Sequence, residues 1–418
     1  MSRSLVFLLL TFVFIAIDWY VWQALKVVIR SASPNVQRWV TWLYWGFTAI
    51  TLASYILVQF LPPDTFGRTT RNFVISGIAI PYFAKIFAAL FLLIDDVRRL
   101  VQWAVSLVVP PAADPTTDPS VPRIPRSEFM SSVALVAGGS LFGTFAFGII
   151  SGAHDYRIRR VKIPLKNLPS AFNGMRIAQL SDIHSGSFFN RTAVKGGVEM
   201  LLKEKPDLAL FTGDLVNDRA EEVKNYMEIF GKVKAPLGVY SVLGNHDYGD
   251  YANWSSQAEK RQNLRDLIKA HDTMGWRLLM DENVPIQVDG EEIGLIGIQN
   301  WGMGGFAQYG DLSKAYQGAE KYPVKLLLSH DPSHWNAQVT PKYKDIDVAF
   351  AGHTHGMQFG VEIGGFQWSP VQYRYKQWGG LYEQDDQYLY VNRGFGYIGY
   401  PGRVGILPEI TIIELVKA

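Results

Sequence analysis

The sequence contains no cysteine and only eight histidines among its 418 residues. The lack of cysteine excludes disulfide bonds, thiolate nucleophiles and cysteine-ligated zinc sites. Charged residues are scarce at one end of the chain: residues 1–150 carry 18 Asp, Glu, Lys and Arg, whereas the rest of the chain carries 60. This contrast predicts a membrane-embedded region followed by a soluble domain. The formal net charge of +2 argues neither for nor against an anionic partner, and no nucleic-acid partner is expected.

Four apolar stretches are long enough to cross a membrane, at residues 5–29, 39–61, 73–94 and 129–150. A hydrocarbon core of about 30 Å takes ~20 helical residues. We therefore predict an all-α region of four transmembrane helices in residues 1–150 and a separate domain in residues 151–418. A stretch with six prolines at about residues 110–125 is predicted to be an extended connector between the third and fourth helices.

The distribution of basic residues predicts how the helices are oriented in the cell membrane. The loops after the first and third helices hold seven basic residues, whereas the amino terminus and the second loop hold three. Because basic loops stay in the cytoplasm, the first and third loops are expected there. The domain that follows the fourth helix is then expected on the extracytoplasmic side of a multi-pass membrane protein.

Two charged residues, Asp18 and Lys85, lie inside otherwise apolar predicted helices. If the first and third helices run in the same direction, both residues lie at a similar depth. One hypothesis is a buried ion pair between these helices, because an isolated charge in a bilayer is costly. The other, which we favour, is that each side chain reaches separately toward the interface or a water pocket.

From about residue 154 the sequence alternates between short apolar β-rich runs and stretches with helical spacing, which predicts an α/β fold. Five segments rich in metal-binding side chains follow apolar runs, and they contain five of the eight histidines. They read Asp182-Ile183-His184, Gly213-Asp214, Gly244-Asn245-His246-Asp247, Ser329-His330 and Gly352-His353-Thr354-His355-Gly356. Because parallel-sheet folds build their sites at strand ends, we expect these segments to meet at one edge.

The side chains in these segments suit a pair of metal ions. In an extended segment residues two apart point the same way, so Asp182 and His184 can face one ion, and His353 and His355 can face one pocket. Asp214 directly follows a predicted strand, and its carboxylate could bridge two ions. Asn245 offers a carbonyl oxygen and His330 another imidazole. Mixed nitrogen and oxygen ligands without sulfur suit Mn, Fe, Zn, Co or Ni.

The five segments, in this order, resemble the pattern of the calcineurin-like metallophosphoesterase superfamily: D-x-H, G-D, G-N-H-[D/E], H and G-H-x-H. The phrases Ser-Asp-Ile-His-Ser-Gly and Gly-His-Thr-His-Gly, with the later Asn392-Arg393-Gly394, look like the membrane-anchored bacterial branch. The resemblance covers about 240 carboxy-terminal residues and only loosely the four predicted helices. It implies an α/β/β/α sandwich of two mixed sheets.

The resemblance also implies a role for each site residue. Asp182, His184 and His355 would hold one divalent ion (Mn, Fe, Zn or similar), Asn245, His330 and His353 the second, and Asp214 would be shared. His246 would contact the phosphate and protonate or stabilise the leaving oxygen, with Asp247 as its orienting partner. A hydroxide held between the ions would be the nucleophile. For Asn217 and Asp218, a supporting role near the ligands and a solvated turn are equally open, and His271 and His334 are not expected to bind metal.

Three functions are compatible with these observations. The leading hypothesis is hydrolysis of a phosphomono- or diester that is lipid-linked or otherwise membrane-associated, since four helices would hold the enzyme near lipid phosphates. The second keeps the chemistry but takes a soluble nucleotide or phosphoprotein. The third is a non-catalytic membrane receptor that binds metal and phosphate. Residues 366–400, which are rich in aromatics, could line the site or face lipid headgroups, but most are expected to pack in the core.

Overall fold

The computed structural model describes residues 3–61, 67–108 and 126–418, and the predicted proline-rich connector lies outside them. The chain divides into two compact units, residues 1–146 and 147–418.

The first unit contains the four predicted membrane helices. They are α1 (Arg3–Val28), α2 (Pro34–Phe60), α3 (Arg68–Ser106) and α4 (Arg126–Ile150), and each is long and apolar enough to cross a membrane. Helix α3 continues to Ser106, well past the predicted end at residue 94. The charged residues that end its apolar run pair along the helix, Asp95 with Arg98 and Asp96 with Arg99, so they extend the helix instead of ending it. The last four residues of α4 belong to the second unit.

The structure shows that our favoured interpretation of Asp18 and Lys85 is wrong, because the two side chains form an ion pair between α1 and α3. Asp18 is fully buried, and its carboxylate also accepts a hydrogen bond from the Tyr82 hydroxyl at 2.8 Å. The Lys85 ammonium lies 5.0 Å from the centre of the Tyr44 ring. Aromatic side chains on α2 and α3 therefore supply a hydrogen bond to Asp18 and a π contact to Lys85. Two charged side chains that lay apart in the bilayer would lack these partners.

The second unit contains two six-stranded sheets with helices outside them. Its strands are β1 (Arg157–Leu165), β2 (Arg176–Leu180), β3 (Leu208–Phe211), β4 (Val239–Ser241), β5 (Arg277–Leu278), β6 (Glu282–Val288), β7 (Glu291–Gly297), β8 (Lys325–Leu328), β9 (Val348–Ala351), β10 (Val361–Ile363), β11 (Phe366–Trp368), β12 (Gly380–Gln384), β13 (Gln387–Val391) and β14 (Glu409–Lys417). Its helices are α5 (Arg191–Lys203), α6 (Met227–Phe230), α7 (Gln257–Met274), α8 (Leu312–Tyr316) and α9 (Thr340–Lys342).

The first sheet has the order β1-β14-β2-β3-β4-β5, and the second has the order β12-β13-β9-β8-β7-β6. Strands β2 to β5 are mutually parallel, as are β13, β9, β8 and β7. Strand β14 runs antiparallel to β2 and parallel to β1. The beginning of β1 therefore lies at the same edge of the first sheet as the carboxyl ends of β2 and β3.

Buried apolar side chains fill three layers. Between the sheets, Ile177 and Leu210 of the first sheet share a core with Leu326 and Phe350 of the second. The outer face of the first sheet is covered by α5 to α7, and the outer face of the second by α8 and the turns near it. The predicted α/β/β/α sandwich of two mixed sheets is confirmed.

Candidate metal centre

All seven predicted ligands lie at the carboxyl ends of β2, β3, β4, β8 and β9, in two adjacent groups. The first group contains Asp182, His184 and His355. His184 Nε2 lies 3.0 Å from His355 Nε2, which lies 3.3 Å from Asp182 Oδ1. All three side chains are buried, so their nitrogen and oxygen atoms face one another with little access to water.

The second group contains Asp214, His330 and His353, with Asn245 beside them. His330 Nε2 lies 3.2 Å from Asp214 Oδ2 and 3.2 Å from Asn245 Oδ1. His353 Nδ1 lies 2.8 Å from the same amide oxygen. The amide nitrogen of Asn245 donates to the Tyr251 hydroxyl at 3.0 Å, which turns the amide oxygen toward the two histidines.

Asp214 belongs to both groups. Its Oδ2 lies 3.5 Å from His184 Nε2 and 3.2 Å from His330 Nε2. Its Oδ1 accepts the backbone N–H of His246 at 2.9 Å. One carboxylate oxygen is thus held by the backbone, while the other faces a histidine of each group, which is the position that a shared ligand requires.

The donor atoms fit divalent ions. With metal–ligand bonds of about 2.1 Å, adjacent donors lie about 3.0 Å apart in an octahedral site and about 3.4 Å apart in a tetrahedral one. The separations of 3.0, 3.2, 3.3 and 3.5 Å match these edges. Like-charged or lone-pair-bearing atoms at such distances repel unless a cation or proton lies between them, so the donor set fits two metal sites.

The backbone at the ligands is unusual, because five of the seven have positive φ. These are Asp182 (51°), His184 (49°), Asp214 (61°), His353 (70°) and His355 (51°). A non-glycine residue in this region carries strain of about 1–3 kcal/mol, which surrounding contacts must offset. Backbone bonds do so here: the Asp182 N–H donates to Gly213 O at 2.9 Å and the His184 N–H to Asp214 O at 3.0 Å. Strained backbone concentrated at these positions is typical of a functional site.

Burial and charge set the protonation of the pocket. Burial lowers the pKa of His184 to about 3 and that of His353 to about 4, so both rings are neutral and can offer a lone pair. Burial also disfavours charge on His330, but the adjacent Asp214 carboxylate outweighs it and raises the pKa of His330 to about 10. Burial raises the pKa of Asp182 to about 6. A proton held between His330 and Asp214 occupies the place where a divalent ion fits.

His246 lies beside the first group, with its ring centre 5.0 Å from that of His184. Its Nδ1 lies 2.8 Å from the backbone carbonyl oxygen of Asn217, so Nδ1–H donates, and Nε2 has no hydrogen-bond partner among the described residues. The implied role of Asp247 as orienting partner is corrected by this contact. The Asp247 carboxylate instead accepts backbone N–H groups, from Asp214 and Gly244 at 2.9 Å each, and so fixes the loop that carries the ligands.

Asn217 takes the supporting position that the sequence left open. It is buried, and its side chain exchanges hydrogen bonds with Ser187 at 3.1–3.2 Å. His271 and His334, which were not expected to bind metal, each contact a serine hydroxyl, Ser241 at 3.0 Å and Ser329 at 2.9 Å.

Two residues outside the predicted ligand set contact His353. Its Nε2 lies 2.8 Å from the Tyr375 hydroxyl and 3.5 Å from Asp331 Oδ2, and Asp331 is buried. Ligating histidines commonly place their second nitrogen against a carboxylate, which fixes the ring. The position of Asp331 next to His330 was an available signal, and Tyr375 belongs to the aromatic segment 366–400, which was given as a possible lining of the site although most of it was expected to pack in the core.

Arg403 also lies against the centre, on the side of His355. The Arg403 guanidinium is buried, with Nη2 3.1 Å from His355 Nδ1 and Nε 2.9 Å from Gly396 O. Burial lowers the pKa of Arg403 to about 10. The backbone N–H of Arg403 donates to Gly148 O in the last turn of α4, at 3.1 Å. A single residue therefore contacts both the end of the fourth helix and a predicted metal ligand.

Comparison with known proteins agrees with this geometry. Residues 2–153 match the family described as probable calcineurin-like phosphoesterase, transmembrane domain, and residues 175–357 match the calcineurin-like phosphoesterase family. The "Transmembrane protein with metallophosphoesterase domain" of Danio rerio is 30% identical over 282 residues, 65% of this chain and 60% of that protein. Its namesake in Bos taurus is 29% identical over 284 residues, again 65% and 60%.

A bacterial relative is matched over nearly its whole length. The "Uncharacterized metallophosphoesterase YkuE" of Bacillus subtilis (strain 168) is 26% identical over 299 residues, 70% of this chain and 98% of that protein. The two vertebrate relatives, by contrast, are matched over only 60% of their length. Since both parts of the chain match and the two metal-binding groups are in place, residues 175–357 are assigned to the calcineurin-like phosphoesterase family and residues 2–153 to the transmembrane domain found with it.

Proposed function

We propose that this membrane protein hydrolyses a phosphomono- or diester that is lipid-linked or membrane-associated, with residues 1–150 as anchor and 151–418 as catalytic domain. The observation that carries the proposal is the position of the metal centre. The ligands lie at the edge of the domain where the chain leaves α4, since β1 begins at the carboxyl ends of β2 and β3. Only six residues separate Ile150 from Arg157, at most about 25 Å of extended chain.

Each site residue has a task in this proposal. Asp182, His184 and His355 would hold one divalent ion, Asn245, His330 and His353 the other, and Asp214 would be shared. When bound, such a pair lowers the pKa of a water molecule and neutralises charge on the phosphoryl oxygens.

His246 is the proposed proton donor to the leaving oxygen. Its Nδ1–H donates to Asn217 O, and the ring is partly exposed, so Nε2 is available to a bound substrate. The neighbouring Tyr251 ring, 4.6 Å away between ring centres, limits how far the imidazole can rotate. A fixed imidazole with one free nitrogen suits general acid catalysis.

The direct test is a substrate panel with the full-length protein in nanodiscs, loaded with Mn²⁺. We expect kcat/KM for phosphatidic acid or another lipid phosphoester to exceed that for nucleotides and p-nitrophenyl phosphate by about tenfold or more, because tethering raises the effective concentration. Faster hydrolysis of nucleotides would favour the soluble-substrate alternative.

His246→Ala separates an enzyme from a metal- and phosphate-binding receptor. An enzyme would lose about 10²–10⁴-fold in kcat while retaining both ions by elemental analysis. If the protein is instead a receptor, the unsubstituted protein would hydrolyse no substrate in the panel, and the His246→Ala variant would still bind phosphate.

We also propose that the catalytic domain is extracytoplasmic. Because the chain has no cysteine, a single Gln384→Cys variant can report this. A membrane-impermeant maleimide should label it in intact cells, and labelling only after lysis would place the domain in the cytoplasm.

A further inference from the structure

The hairpin β10–β11 directly follows the loop that carries His353 and His355. Its turn is Gly364–Gly365, with φ of +56° and +87°, as a tight two-residue hairpin turn requires. The turn places Ile363 opposite Phe366 at the tip. This pairing puts two large apolar side chains side by side at the furthest point of the hairpin.

In a soluble protein the apolar face of a hairpin usually packs on the core and the polar face is exposed, whereas this hairpin has the opposite arrangement. Val361, Ile363 and Phe366 share one face, and they are 38%, 74% and 62% exposed. On the opposite face, the Glu362 carboxylate is largely buried, 2.7 Å from Arg393 Nη2 and paired also with Arg159. The polar side chain therefore anchors the hairpin to the domain, whereas Ile363 and Phe366 at the tip of the apolar face are mostly exposed.

The base of the hairpin lies next to the last turn of α4. The Gly360 N–H donates to Val404 O at 2.9 Å, and the adjacent residue, Arg403, donates its backbone N–H to Gly148 O at 3.1 Å. Three-residue strands extend about 10 Å from their base. The apolar tip is thus close to the point where a membrane-spanning helix ends.

A basic side chain stands beside the tip. Arg157 lines a cleft of about 440 Å³ with the Gly364–Gly365 turn, and its side chain is 56% exposed, with Nη2 2.6 Å from Asp155 Oδ2. An apolar tip next to an exposed arginine suits the membrane interface, where acyl chains and anionic headgroups meet.

We propose that the β10–β11 hairpin is a second, shallow membrane contact, with Ile363 and Phe366 inserted into the bilayer interface beside the end of α4. The occupant of the apolar face is the lipid of the membrane that already holds the chain. The contact would fix the orientation of the domain and hold the adjacent metal centre near lipid phosphates. It does not depend on hydrolysis, so its failure would leave the proposed function intact.

The test uses the full chain in nanodiscs of phosphatidylcholine and phosphatidylglycerol at one chain per disc. A polarity-sensitive bimane is attached to the cysteine of the Ile363→Cys variant. This cysteine is the only thiol, because the parent sequence has none. The matched control is Gln384→Cys, an exposed position next to the β12–β13 turn, at the opposite edge of the sheet from the ligands. Lipids with a doxyl quencher near the headgroup report contact with the bilayer.

We expect the label at residue 363 to emit at shorter wavelength and to be quenched by doxyl lipid at least about twofold more than the label at residue 384. Phe366→Cys should behave like Ile363→Cys. Equal quenching at residues 363 and 384 would overturn the proposal. A shielded label at 363 that doxyl lipid does not quench would also overturn it, because protein would then cover the tip. Retained metal content shows that the labelled variants are folded.

Discussion

The backbone carbonyl oxygen of Gly148 accepts a hydrogen bond from the Arg403 N–H at 3.1 Å. The guanidinium of the same arginine lies 3.1 Å from His355 Nδ1. Arg403 therefore connects the last turn of α4 directly to the metal centre, and a structural change in one should alter the geometry of the other.

The first prediction concerns Gly148→Ala. A Cβ at this position would lie 2.7 Å from Val404 Cγ2 and 2.9 Å from Arg403 O, closer than side chains normally pack. The segment must move, and we expect kcat/KM to fall about tenfold or more because ligand geometry shifts with Arg403. Hydrolysis of a soluble aryl phosphoester measures this effect.

Gly143→Ala on the same helix is the matched control, since a Cβ there meets no described atom within 4 Å. It should retain the activity of the parent protein. If both variants match the parent, the contact between Gly148 and Arg403 has no catalytic consequence.

The second prediction concerns the residues behind His353. Asp331→Asn removes the carboxylate 3.5 Å from His353 Nε2, and Tyr375→Phe removes the hydroxyl at 2.8 Å. Each change should weaken one of two Mn²⁺ sites about 10–100-fold, because the ring is no longer fixed. Calorimetric titration of metal-stripped protein resolves the two sites.

Asp289→Asn, in the exposed β6–β7 turn, controls for loss of a carboxylate elsewhere. Its binding curve should overlay that of the parent protein. Equal weakening of both sites in Asp331→Asn would instead indicate general disruption of the pocket.

The third prediction concerns acid stability. Burial lowers the pKa of His271 to about 3, below its unfolded value of about 6.5. Above pH 6.5 His271 is neutral in both states and costs no stability. As the pH falls from 6.5 toward 3, only the unfolded state takes up the proton, so the free energy of unfolding falls by about 1.4 kcal/mol per pH unit. Urea unfolding followed by tryptophan fluorescence, to which Trp276 contributes with its ring 6.0 Å from that of His271, measures the slope.

His271→Gln retains a hydrogen-bonding group for Ser241 but does not titrate. Its unfolding free energy should vary less with pH between 6 and 4 than that of the parent protein. Parallel curves for the two proteins would mean that the pKa of His271 is the same in the folded and unfolded states.

The fourth prediction concerns the intramembrane ion pair. Removing Lys85 alone leaves a buried carboxylate, so Lys85→Met should lower the free energy of unfolding by about 3–5 kcal/mol. The double variant Asp18→Leu/Lys85→Met should lose less, because no charge stays unpaired. Thermal unfolding in nanodiscs tests the order, and additive losses would show that the two charges do not interact.

The meeting of the five motifs could be predicted from the sequence because each motif directly follows a parallel strand. The carboxyl ends of β2 and β9 must lie at the edges of their sheets, so Asp182 and His353 could be placed without knowing the path between them. The four membrane helices were equally accessible, since length and apolar composition are sufficient to indicate them.

Other features depend on groups with no local signature. The partner of His246 is a backbone oxygen of Asn217, which any residue would supply, so residue identity could not indicate it. The pairing of Lys85 with Asp18 was not favoured because one of the rings that contacts Lys85, that of Tyr44, lies on a different helix. Strand β14 inserts between β1 and β2, although nearly the whole second unit lies between the end of β2 and the start of β14 in the chain. Long-range placement of this kind is not encoded in local periodicity.

The left-handed backbone at five ligands has a consequence for which amino acids these positions can hold. Aspartate and histidine are among the few non-glycine residues that enter this region readily, and they are also good donors to divalent cations. Coordination chemistry and chain geometry thus select the same side chains at residues 182, 184, 214, 353 and 355. A β-branched residue at any of these positions would strain the backbone, whatever its affinity for an ion.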